Sequence, residues 1–220
     1  MATRKKATEI SAEELLSKYT DYVLEHGGKP SSVYMFCKSI KIEEPEFYKH
    51  FASLEKLEAG FFTALHEHTV ALLNKNDEYH HYNDANKLLS YYFTFFEMAT
   101  ANRSFILMSL EAEKNPFEKL IQLKELRNHF LLYADVLLSE RRLMPDEKLK
   151  KVEGKLLQEG AWLQFLFAMK FWMRDTSPNF EKTDVMIEKS VKASFDVLDN
   201  FPMKSVIDLG KFLWKERPFQ

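Results

Sequence analysis

A chain of 220 residues, 45% hydrophobic and 29% charged, is an ordinary globular composition with room for one large domain, or a small one joined to a larger. Its net charge of −2 gives no global basic field, so any grip on nucleic acid must come from local groups. Six glycines and seven prolines favour helices over turn-rich sheet, and the single Cys37 excludes an intramolecular disulfide or a cysteine-rich zinc site.

The opening MATRKKATEISAEE is basic but lacks a following apolar run, so no signal peptide is expected and cytoplasm is the default. Ser11 and Glu14 form a capping box, with Ile10 and Leu15 placed as a hydrophobic staple across it. Leu15, Tyr19 and Val23 continue one face until Gly27-Gly28 ends the helix. Val33, Phe36, Cys37 and Ile40 then fall at helical spacing, with Cys37 read as a small buried hydrophobe. Lys41-Ile42-Glu43 breaks that phase, and Pro45 restarts it at the first turn of a second short helix carrying Phe47, Tyr48 and Phe51. Two short helices around a tight turn predict a helix-turn-helix.

The run Phe47-Tyr48-Lys49-His50-Phe51, followed by Ser53 and Leu57, resembles the signature that closes the recognition helix of TetR-family regulators. The resemblance covers roughly residues 10–65, and the remainder agrees in its helical layout. It implies an all-α, TetR-like fold: a head over residues 1–53, a connecting helix over 54–76, and a ligand-binding and dimerisation domain over 77–220. It also implies that Tyr48, Lys49 and His50 reach DNA, that Lys38 and Lys41 add backbone contacts, and that Glu46 is placed to read a cytosine amino group. The chain departs from the family at Lys41, where glycine is usual, and at Glu43, where serine or threonine usually caps. Residues 1–70 hold nine Lys or Arg against eleven Asp or Glu, an acidic balance for a DNA-reading head.

Ser53 caps a helix with Leu54, Leu57, Phe61, Leu65 and Leu72 on one side, and the polar run Asn74–Asp84 reads as a boundary. Further helices are expected over 84–101, 104–114, 116–142, 146–175 and 181–199, with a C-terminal one after Pro202. The most apolar run, Ala161 to Met173, is too short to span a bilayer.

These segments carry more aromatic bulk than single helix faces bury, which implies a lined apolar cavity, a partner subunit, or both. The family resemblance puts dimerisation on the last two long helices, through Leu157, Phe167, Phe171, Val191 and Phe195. The pocket then falls to Tyr92, Phe95, Phe96, Phe105, Met108, Phe130, Tyr133, Trp162 and Phe165, suited to an apolar small molecule or lipid. His66 and His68, two apart, diverge on a helix, and His80-His81 lie in the polar run; solvated or capping roles are expected, with no metal and no cofactor. No phosphate loop or nucleophile elbow is present, so the chain does not read as an enzyme. The tail, with Phe212 and Trp214 among lysines, could lie weakly on an anionic membrane, though docking on its own domain is the commoner use. Two functions emerge: an operator-binding, ligand-responsive homodimer, or a protein of the same fold that has lost DNA binding and carries lipid, as the ubiquinone-biosynthesis lipid-binding proteins do.

Overall fold

The structure, a computed structural model, describes residues 10–112, 122–142, 144, 146–200 and 212. Among them every regular element is helical: α1 (Ala12–His26), α2 (Val33–Ser39), α3 (Glu44–Tyr48), α4 (Leu54–Asn74), α5 (Asp77–His81), α6 (Asp84–Ala101), α7 (Arg103–Ala112), α8 (Lys124–Leu137), α9 (Glu147–Arg174) and α10 (Glu181–Asn200). Two single 3₁₀ turns, Ser139–Arg141 and Pro178–Phe180, fill corners.

Local chemistry sets the boundaries. Ser11 Oγ accepts the Glu14 N–H, and Gly27 at φ 67° turns the chain out of α1, a left-handed conformation that a side chain would strain. Ser32 and Ser53 cap α2 and α4 in the same way, while Asp146 accepts from Lys148 and Leu149 to open α9. α1, α2 and α3 close around Tyr19, Phe36 and Phe47, whose rings meet edge to face at 5.6 and 6.1 Å.

α4 is the axis. Its 21 residues run about 30 Å, with the head packed on its first turns and α6 and α8 packed along the rest. α9 lies against α8, and α10 against both α6 and α9. One continuous apolar core runs from Ile10 to Phe195 through all of these helices.

Several expectations need correcting. The polar run read as a boundary holds a short helix: Asn76 caps α5, and Tyr79 is buried from it. The helix expected over 116–142 is seen as α8 and ends at Leu137; its expected first residues lie outside the described ones. The C-terminal helix and its membrane contact also lie outside them, except for Phe212, which is exposed. No helix among the described residues is long and apolar enough to cross a membrane.

Candidate DNA interface and effector cavities

In the head, the turn between α2 and α3 hinges on Lys41 at φ 61°, supported by an Ile42 N–H donated to the Cys37 carbonyl at 3.0 Å. This is the left-handed conformation for which glycine is the usual choice, and here a lysine adopts it at some strain. The turn swings α3 so that Phe47 is fully buried while Tyr48, Lys49 and His50 face solvent, with Lys38 and Lys41 exposed nearby.

Two of these side chains are already engaged. Lys49 Nζ donates to both carboxylate oxygens of Glu46 at 2.8 and 2.9 Å. His50 Nε2 lies 2.8 Å from the Ile10 carbonyl; a carbonyl only accepts, so the ring donates and ties the end of α3 to the start of α1. Tyr34 was missed from sequence. It lies exposed on α2, off the phase of the buried stripe, with the Lys38 ammonium 5.9 Å from its ring centre. Being out of phase was the readable signal.

A second element absent from the sequence reading joins head to body. Glu58, buried on α4, pairs with Lys29 of the α1–α2 loop at 2.7 Å and accepts from Ser109 Oγ of α7 at 2.7 Å. Gln122 donates in turn to Ser109 Oγ at 2.6 Å. A glutamate one residue after Leu57, inside an apolar stripe, was the available clue.

In the body, the rings expected to line a pocket mostly fill it. Phe165 sits 4.9 Å from Phe95, 5.2 Å from Phe130 and 5.3 Å from Trp162, centre to centre. Tyr92 stacks on Phe130 at 6.3 Å and donates its hydroxyl to the Ala161 carbonyl at 3.0 Å. Such spacings are van der Waals contact between rings and leave no room for a ligand. Phe105 faces the head, against Phe61 and Tyr19, and Met108 is half-buried at the core edge. Phe96 and Tyr133 do reach open space. Phe96 borders a cavity of about 360 Å³ with Trp172 and Phe180, and Tyr133 one of about 570 Å³ with His66, Tyr79 and His129.

His66 is therefore not solvated, as expected, but 6% exposed at the back of the larger cavity. Burial first, and the nearby His129 second, lower its pKa to about 4, so the ring is neutral at pH 7. Among the described residues no group of three or more His, Cys, Asp or Glu could hold a metal ion.

The expected dimer residues separate by face. Val191 and Phe195 are 2% and 5% exposed and turn into the protomer core, Phe195 beneath the Arg141 guanidinium at 4.6 Å. They are covered within one chain, which corrects their assignment to an interface. Phe167 is 57% exposed and shares an outward stripe of α9 with Val152, Leu156 and Leu163. Leu157 and Phe171 are half-buried beside that stripe.

The α9 end is pinned separately. Arg103 lies between the Trp172 and Phe180 rings at 4.5 and 4.4 Å and donates to the Trp172 carbonyl at 2.8 Å. Burial raises the Asp175 pKa, but bonds from Ser177 and Thr183 outweigh it and hold the carboxyl well below the usual range.

An all-helical body of this layout, behind a small helix-turn-helix, defines a class, and comparison with protein families gives it a name. The family described as tetracyclin repressor-like, C-terminal domain, matches residues 87–213, more than half of the chain. The chain belongs to the TetR family. A comparison with curated proteins finds no match.

Proposed function

We propose that this protein is a ligand-responsive transcriptional regulator that grips operator DNA as a homodimer. The observation that carries the reading is the Lys41 turn, which buries Phe47 and leaves Tyr48 and Lys49 outward on α3. The outward apolar stripe of α9 supports pairing of two copies, which sets the spacing of two heads against two half-sites. Its test is a shift of a promoter fragment from beside its own gene. Lys49→Ala is expected to weaken binding on every sequence and to flatten the salt dependence by about one unit of slope. A protein that ignores every duplex at low salt would remove the reading.

A second reading, a lipid carrier without DNA binding, is favoured by one observation. Glu43, Glu44 and Glu46 crowd the start of α3, and Glu46 holds Lys49 where a phosphate would need it. Native mass spectrometry separates the two: a retained lipid in a protein that shifts no DNA supports the carrier.

A further inference from the structure

The cavity between α4 and α8 holds a hydrogen-bond donor that no group among the described residues uses. Tyr91 is fully buried, so its hydroxyl needs an acceptor, and His66 Nδ1 lies 2.7 Å away. With Nδ1 accepting, the neutral ring carries its proton on Nε2, which has no hydrogen-bond partner among the described residues. The two tyrosines beside it are already committed: the Tyr79 and Tyr133 hydroxyls bond each other at 2.9 Å, and Tyr133 donates on to the Lys87 carbonyl at 3.3 Å. At the rim, Leu132 and Val136 are 70% and 77% exposed, two large apolar side chains left uncovered at the mouth. Asp84 is paired with Arg141 at 2.9 Å, and the remaining lining charges, Lys87 and Glu140, are of opposite sign. The volume, about 570 Å³, lies within the range of small-ligand sites.

We propose that this cavity is the effector site, and that it takes an uncharged, mostly apolar molecule presenting one carbonyl-type acceptor to His66 Nε2. An ionised head of either sign would meet one rim charge of its own sign and leave a wall that offers a neutral donor. The apolar body lies against Val70, Leu132 and Val136, covering what is now exposed. Its regulatory meaning rests on the regulator reading above, because α4 carries both His66 and the Glu58 tie to the head.

The test uses the full chain and three probes with the same eight-carbon body: 2-octanone, octanoate and octylammonium. Titration calorimetry is expected to give 2-octanone at least about tenfold the affinity of either ion. The ¹⁵N signal of His66 Nε2 is expected to move on saturation with the ketone. His66→Phe is expected to weaken ketone binding about five- to tenfold, the size of one neutral hydrogen bond. Val136→Asp, at a position 77% exposed, is expected to weaken it comparably. Ions that bind as well as the ketone, an unmoved His66 signal, an unaffected Val136→Asp variant, or no binding at millimolar ketone would each overturn the assignment. A protein that takes up the ketone but ignores duplex DNA keeps the site and loses the regulator. The reverse result loses the site alone.

Discussion

The head and the body answer the same problem, too many aromatic residues for short helices, in opposite ways. The head buries Tyr19, Phe36 and Phe47 and leaves Tyr34 and Tyr48 facing water, so its outer surface is aromatic and mixed in charge. The body turns its rings onto one another around Phe165 and leaves its open space at the edges of that cluster, beside Phe96 and beside His66. An exposed ring tolerates substitution, whereas a ring-on-ring core does not. The difference teaches that aromatic abundance alone does not locate open space, because rings that pack on one another fill the volume they line.

The sharpest way to break this contrast is Phe165→Ala. Removing a fully buried ring that touches Phe95, Phe130 and Trp162 is expected to cost about 3–5 kcal/mol in chemical denaturation. A loss under about 1 kcal/mol would mean that the cluster is loose enough to admit a ligand after all.

Acid should come next. The folded chain keeps His66 neutral down to about pH 4, whereas the unfolded chain protonates it near 6.5. Between those values the unfolded state binds the extra proton, so stability is complete above 6.5 and declines as pH falls towards 4. The loss is on the order of 2–3 kcal/mol at most. Denaturant midpoints across pH 4–7, with and without His66→Phe, measure it; equal slopes would return His66 to an ordinary solvated role.

At the joint between the regions, a Cβ on Gly60 would stand 2.9 Å from Phe51 Cε1. Gly60→Ala is therefore expected to destabilise by about 1–2 kcal/mol despite its better helix propensity, read from a thermal melt. In the head alone, Lys41→Gly relieves the left-handed turn and should stabilise by up to about 1 kcal/mol in the same melt. Smallest of all, Glu46→Gln removes one negative charge beside Lys49, ending an exposed pair of about 0.2–1 kcal/mol. Non-specific duplex affinity should rise a few-fold at low salt; an unchanged value would say that the Glu46 carboxylate does not face phosphate.

Much of the helical frame was legible because its signals are local. Ser11, Ser53 and Gly27 mark helix ends by chemistry that needs no partner, and Phe36, Cys37 and Phe47 declare a buried face by spacing. Periodicity could not say which covering each face receives. Val191 and Phe195 share a stripe whose neighbour, α6, is distant in sequence, so a partner subunit and the protein's own core looked alike. A polar residue in an apolar stripe, such as Glu58 or His66, hints at burial, but its role stays unreadable until its partner, Lys29 or Tyr91, is brought beside it. Tyr79 buries α5 from within a polar run because one aromatic residue has no period to display.

The Glu58 tie has a mechanical consequence. Pulling Lys29 away would leave the buried Glu58 carboxylate bonded to Ser109 but without this cation, an unfavourable change. Small tilts of the central helix should therefore carry the head along as one rigid lever, so that an ångström of displacement at the far end becomes a change of aim at the near one.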